Sequence, residues 1–249
     1  MTNLENKVAL VTGSARGIGK AIAERYAVLG ANVVINYSND ERGANETVAA
    51  IERSGGVAIA IRADVSKVAD IERLFTASLE RFGHLDIVVA NAGVELVGQP
   101  VLDFSEEDFD RLFAINTKGA FFTLQKAGKY VADNGRIIYV GSSNTAYPLP
   151  GRGLYGGSKI APQFLVEVLA KEIGSRGVAV NSILPTAIEG AGHFSDEVKP
   201  EFREFIRTFR PMQRMGTMED VANAAEYLAG DLSAFVSGQH LLISGGAPA

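Results

Sequence analysis

The 249-residue chain contains no cysteine and no tryptophan. Without cysteine there is no disulfide framework, no thiol nucleophile, no iron–sulfur ligand set and no thiolate zinc site. Histidine is nearly as scarce. His84, His193 and His240 stand far apart, with no HxxxH spacing, so the sequence predicts no histidine metal site. Long apolar runs are missing too: nowhere do eighteen apolar residues follow one another, and no membrane-spanning helix is expected. The start, MTNLENKVALVTG, has charges within its first seven residues and only a five-residue apolar run. A secretory signal has a basic start and a longer apolar stretch, so the expectation is a cytoplasmic protein. Basic excess is also absent. Twenty-four Lys+Arg against 29 Asp+Glu leave a net charge of −5, which argues against nucleic-acid or acidic-membrane partners.

Glycine, in contrast, is plentiful: 27 residues, about 11% of the chain, where roughly 7% is usual. There is no Gly-X-Y period and 47% of residues are hydrophobic, so neither collagen nor disorder explains the excess. Its cause must be local. Short β-branched runs lie at 7–11, 32–36, 57–61, 85–90, 136–140, 178–183 and 240–243. Most are apolar at consecutive positions, as in strands covered on both faces of a parallel sheet. Helical patterns separate them at 17–29, 40–54, 66–82, 105–132, 154–175 and 218–229. In 66–82, Val68, Ile71, Leu74, Phe75 and Leu79 share one face, with Ser66 a plausible N-cap and Gly83 a plausible stop. Repeated strand–helix alternation predicts an α/β fold: one domain over 1–249, a Rossmann-type, doubly wound parallel sheet of seven strands flanked by helices. The stretch 186–217 has no place in that scheme and reads as a substrate lid.

The first strand runs directly into TGSARGIG (Thr12–Gly19), and a helix follows. Glycines there permit a tight turn and close backbone approach to a phosphate, which the N–H groups and dipole of a helix N-terminus favour. The Gly-x3-Gly-x-Gly spacing is neither GxGxxG nor a P-loop, because Lys20 is followed by alanine. NAD sites place an acid after the second strand to hold the ribose 2′-OH. Here that strand ends Asn36-Tyr37-Ser38-Asn39, and Arg16 sits inside the glycine loop, where it could pair a 2′-phosphate. These residues predict NADP(H) in preference to NAD(H); the blander reading of Arg16 is a solvated loop charge.

Further features continue the series: Asp64-Val65 after the third strand, Asn91-Ala92-Gly93 after the fourth, and Asn116 in a helix. Ser142, Tyr155-x-x-x-Lys159, Asn181-Ser-Ile-Leu-Pro185 and Ser237-Gly-Gln…Gly245-Gly246 follow. Each is weak alone. In this order and at these spacings the chain resembles the short-chain dehydrogenase/reductase family over essentially its whole length, with a flavour similar to 3-oxoacyl-carrier-protein and related ketone reductases. The resemblance implies a dinucleotide site at Gly13, Ser14, Arg16, Gly17, Ile18, Gly19, Asn36, Tyr37, Ser38, Asp64, Val65, Asn91, Ala92, Gly93, Pro185 and Ile188, with Tyr155 and Lys159 reaching the nicotinamide ribose.

Tyr155 and Lys159, four apart, share a helix face. A nearby cation favours a phenolate, which suits a phenol used as an acid. The resemblance implies that Tyr155 exchanges a proton with the carbonyl oxygen, that Lys159 lowers the Tyr155 pKa, that a serine hydrogen-bonds the substrate oxygen, and that Asn116 anchors a water in a proton relay. Two serines follow strand five. Ser142, thirteen residues before Tyr155, has the family spacing, and Ser143 reads as a strand terminator.

The chain departs from the family in three places. Thr186 stands where glycine usually follows Pro185. Gly190 stands where a threonine usually grips the nicotinamide amide, leaving that grip to the Ile188 backbone. Pro162 lies inside the Tyr155 helix, where it removes a hydrogen bond and bends the axis. Candidate substrate walls are Val94, Glu95 and Leu96, then Asn144, Tyr147, Pro148 and Leu149, with Phe194, Phe205 and Met212 above and Arg152 and Arg210 near the rim. This mostly apolar set predicts a hydrophobic or aromatic ketone and an NADP(H)-dependent alcohol dehydrogenase/carbonyl reductase (EC 1.1.1.-). A 3-oxoacyl-carrier-protein reductase is an alternative that would need a basic docking patch. A catalytically silent NADP(H)-binding protein is another, but such a protein should lack Tyr155 or Lys159. The helices at 105–132 and 154–175 are apolar on more than one face, which predicts a homotetramer or a dimer.

Overall fold

The computed structural model describes residues 2–195 and 198–247. Seven parallel strands form one sheet in the order β3-β2-β1-β4-β5-β6-β7. They are β1 (Val8–Val11), β2 (Asn32–Tyr37), β3 (Val57–Arg62), β4 (Ile87–Ala90), β5 (Arg136–Val140), β6 (Ala179–Pro185) and β7 (His240–Ile243). The strand order reverses between β1 and β4, where crossovers pass to opposite faces and leave a crevice at the carboxyl ends. β1, β4, β5 and β6 are buried along their full length, which is why their sequences run apolar without alternation.

Helices cover both faces. On one, α1 (Gly17–Val28), α2 (Glu41–Arg53) and α8 (Met218–Ala229) pack around Ile22, Tyr26, Val33, Ile35 and Leu228. On the other, α3 (Val68–Phe82), α5 (Ala120–Tyr130) and α6 (Gly153–Ile173) enclose Leu10, Phe75, Val88, Ile137 and Tyr139. No helix among the described residues is long and apolar enough to cross a membrane.

Several local expectations need correction. α3 begins at Val68, not Ser66, because Ser66 turns back: its N–H and hydroxyl both donate to the Asp64 carboxylate, at 3.0 and 2.8 Å. Gly83 does end the helix, at φ 82°. The segment 105–132 is not one helix. α4 (Glu106–Phe113) passes through a π-helical stretch, Ala114–Gly119, before α5 begins. The segment 186–217 holds a further helix, α7 (Pro200–Phe209), whose buried Ile206 packs with Val198 and Met215; positions 196 and 197 of this stretch lie outside the described residues.

Pro162 does not interrupt α6. Lacking an N–H, it leaves the Ser158 carbonyl one turn earlier without its helical donor. The Thr117 hydroxyl, presented by the π-helical stretch, takes that carbonyl at 2.8 Å. Thr117→Val should therefore cost about 1–3 kcal/mol, the usual penalty for a buried acceptor left without a donor. Urea unfolding measures this, and a loss under about 0.3 kcal/mol would mean water replaces the hydroxyl.

Candidate active site

At the carboxyl ends of the strands lies a cavity of about 830 Å³. Its floor is the glycine loop. Thr12 Oγ accepts the N–H groups of Asn91 and Ala92 at 2.9 and 3.0 Å, and Asn91 Nδ2 donates back to the Thr12 and Gly13 carbonyls. The two turns are thereby locked at close approach. A Cβ on Gly19 would lie 2.5 Å from Asn91 Nδ2 and 2.6 Å from the Gly13 carbonyl oxygen, so glycine is required there. α1 starts with no capping side chain and no acid in its first turn. Its free N–H groups and dipole face the cavity through Arg16, Gly17 and Ile18. This is an anion cradle, and its donors fit the phosphates of a dinucleotide.

Gly13, Arg16, Gly17, Ile18, Gly19, Asn36, Tyr37, Ser38, Asp64, Val65, Asn91, Ala92, Gly93, Pro185 and Ile188 all line the cavity. Ser14 does not. It is wholly buried, donates to the Val11 carbonyl at 2.7 Å and accepts the Asn36 N–H at 3.1 Å, so it braces the turn from behind. The Asn36 side chain is likewise committed to backbone: it accepts the Gly13 N–H and donates to the Ala63 carbonyl. Tyr37, Ser38, Asn39 and Arg16 form the rim beyond it.

Opposite the loop stand Ser142, Tyr155 and Lys159. Lys159 is 4% exposed and donates from Nζ to the Val140 carbonyl at 3.1 Å. A Cβ on Gly93 would lie 2.9 Å from that Nζ, which explains the glycine. Burial pushes Lys159 down to about 8, with Glu95 resisting. The unfolded chain thus holds this proton more tightly between pH 8 and 10.5, and folding stability rises with pH across that window. Lys159→Met removes a buried charge. It should stabilise the cofactor-free protein by up to about 3 kcal/mol below pH 8, fading toward pH 10.5. Thermal melts across pH 7–10.5 test this, and a pH-independent difference would contradict it.

Burial and then the Glu95 charge push the Tyr155 hydroxyl well above its ordinary value, while Ser142 and the Arg152 charge pull the other way. The cation acting on it is therefore Arg152. Asn116 sits one layer behind. Fully buried in the π-helical stretch, it clasps the Val94 backbone from both sides at 2.8 Å and donates to Ser158 Oγ.

Of the expected substrate walls, Val94, Glu95, Asn144, Tyr147, Leu149, Phe194 and Phe205 line the cavity; Leu96, Pro148 and Met212 do not. The Glu95 carboxylate is already engaged, with Arg152 at 3.1 Å and the His193 backbone N–H at 2.7 Å, so it fastens the segment after β6 to the loop after β4. Phe202 and Phe209 are walls that sequence reading missed. Phe194 stacks on Phe202 at 4.8 Å and Phe205 on Phe209 at 5.3 Å. The three- and four-residue spacing of 202, 205, 206 and 209 was the available signal. Among the described residues no group of three His, Asp or Glu could hold a metal.

A family profile described as enoyl-(acyl carrier protein) reductase matches residues 13–248. A hydroxynaphthalene reductase-like protein, Arp2, of Metarhizium brunneum is 39% identical, over 98% of this chain and 96% of that protein. Among solved structures, a promiscuous reductase, LugOII, which catalyses keto-reduction at C1 during lugdunomycin biosynthesis, is 38% identical with a TM-score of 0.91, over 98% of this chain and 99% of the other. A short-chain dehydrogenase of Burkholderia cenocepacia J2315, in complex with NADP, is 34% identical with a TM-score of 0.91, over 99% of this chain and all of the other. With the sheet order, the glycine cradle and the Ser142–Tyr155–Lys159 grouping already described, these likenesses identify the chain as a member of the short-chain dehydrogenase/reductase family.

Proposed function

We propose that the protein is an NADP(H)-dependent carbonyl reductase, reversible as an alcohol dehydrogenase, acting on hydrophobic or aromatic ketones. The observation that carries this reading is the convergence in one cavity of the anion cradle, the Ser142, Tyr155 and Lys159 side chains and a wall of four phenylalanines. The NADP bound by the Burkholderia relative and the keto-reduction by LugOII support the cofactor and the reaction.

Gly13, Arg16, Gly17, Ile18, Gly19, Asp64, Val65, Asn91–Gly93 and the Ile188 backbone would hold a reduced nicotinamide cofactor, which would supply the hydride. The chain's own groups do the rest. Ser142 donates a hydrogen bond to the substrate oxygen, stabilising charge as it develops. Tyr155 transfers its proton to that oxygen in reduction and recovers it in oxidation. Lys159 holds the ribose hydroxyls, and Asn116 positions the Val94 loop and a proton relay behind it. The segment 186–217 serves as the lid over the substrate, with its aromatic side chains turned to the cavity.

Arg16 and Ser38 at the rim, with no carboxylate after β2 until Asp40, which caps α2 through the Gly43 N–H, favour a 2′-phosphate. We expect KM for NADPH to be at least ten-fold below that for NADH across a panel of ketones, quinones and β-ketoesters followed at 340 nm. A clear NADH preference would reverse the cofactor assignment, and turnover of none of them would remove the reductase reading. The exposed Phe109, Phe121, Ile160 and Phe164 support self-association as a homotetramer or dimer; elution as a monomer at micromolar concentration would contradict both.

A further inference from the structure

Arg210 carries a charge that neither the fold nor the proposed chemistry uses. It follows α7, lines the same cavity as Tyr155 and is 3% exposed. Its guanidinium reaches three oxygens. Nη2 donates to Thr186 Oγ at 2.8 Å, and Nη1 donates to the Ala187 and Arg214 carbonyls at 3.3 and 3.5 Å. All three acceptors are neutral. Nε, shielded from solvent, has no partner. The contrast with neighbouring arginines is plain: Arg152 meets Glu95, and Arg214 meets both oxygens of Asp220. Among the described residues no carboxylate lies within ion-pair distance of Arg210.

Three neutral acceptors do not require a cation. A neutral amide could bridge them without the cost of burying a charge. The charge is therefore suited to something that enters the cavity. Thr186, the residue standing where the family has glycine, joins Arg210 to the chemistry. Its hydroxyl also meets the Tyr147 hydroxyl at 3.1 Å, and Tyr147 lies five residues beyond Ser142. The phosphates of the cofactor already have the N-terminus of α1. Of the carboxylates lining the cavity, Glu95 is held by Arg152, Asp64 meets Lys67 and Asp40 caps α2 through the Gly43 N–H.

We propose that Arg210, with Tyr147 and Thr186, forms an oxyanion-binding subsite that selects aromatic carbonyl substrates carrying a carboxylate or an ionised phenol. The inference deepens the ketone-reductase reading and rests on it for the reaction, but its test needs no turnover. The full chain, with and without saturating NADP+, is titrated calorimetrically with 2-naphthoate and with 2-naphthamide, which share a frame and differ in charge. The expected result is naphthoate bound at least ten-fold more tightly than naphthamide. That ratio falls to about one in Arg210→Gln and is partly kept in Arg210→Lys, with NADP+ affinity within two-fold throughout. Equal binding of the two by the wild type overturns the proposal, whatever the variants do. So does a ratio that survives Arg210→Gln. A loss of NADP+ affinity in Arg210→Gln with the naphthoate ratio unchanged would give the oxyanion to the cofactor phosphates instead. A protein that makes the discrimination yet reduces no ketone keeps the subsite and loses only the reductase reading.

Discussion

Tyr155→Phe should lower kcat for ketone reduction by about 10³-fold while leaving NADPH affinity within about two-fold. The substitution removes one hydroxyl and keeps the ring, so the surrounding packing is retained. What is lost is a hydroxyl that burial holds firmly to its proton. Burial and Glu95 favour the protonated phenol, and Ser142 and Arg152 favour the phenolate left behind after transfer. A group balanced in this way keeps its proton at neutral pH until a developing alkoxide accepts it. Steady-state assays at 340 nm with a fluorescence titration of NADPH separate the two effects. Unchanged turnover would remove Tyr155 as the acid. Equal collapse of turnover and NADPH affinity would mean that the hydroxyl chiefly holds the cofactor.

Ser142→Ala should cost about 10²-fold in kcat, with Ser143→Ala within a few-fold of wild type. Both serines line the cavity and both are buried, so exposure does not separate them. The position of the hydroxyl does: that of Ser142 stands against the Tyr155 hydroxyl. Ser142 Oγ also accepts the Asn144 N–H at 3.2 Å, and its one O–H lies beside the acid and can turn from Tyr155 to a substrate oxygen. Ser143 opens a short 3₁₀ turn, where its carbonyl accepts the N–H groups of Ala146 and Tyr147. A dead Ser143→Ala beside an active Ser142→Ala would reverse the assignment.

The sheet was legible because its strands are buried on both faces and announce themselves as apolar runs. The glycine loop was legible because a tight turn between strand and helix admits few other residues. Three kinds of feature were not. The π-helical stretch at Ala114–Gly119 differs from an α-helix by one residue per hydrogen bond, and side-chain periodicity does not register so small a change. Ser14 reads as part of the dinucleotide site, but its hydroxyl is consumed by Val11 and Asn36, a partnership set by the pairing of β1 with β2. Leu96 lay beside Glu95 in sequence, yet the direction of the loop, held by the Asn116 clasp on Val94 and the Glu95–Arg152 pair, brings one to the cavity and not the other. The wall formed by Phe202 and Phe209 was readable in principle, because helical spacing alone marks it.

The order of the strands also sets a hazard during synthesis. β3, β2, β1 and β4 are neighbours in the sheet and occupy the first 90 residues, so this half can pair as soon as it is made. Its outer strand is then β4, Ile87–Ala90, whose four residues are all buried in the finished protein. Until Arg136–Val140 arrives to pair with it, that apolar strand is a bare sheet edge of the kind that templates aggregation. At ribosomal rates of about 5–20 residues per second the interval lasts roughly 2–9 s. Yield in a heterologous host should therefore depend on how quickly, and under what chaperone cover, the stretch between Asn91 and Arg136 is translated.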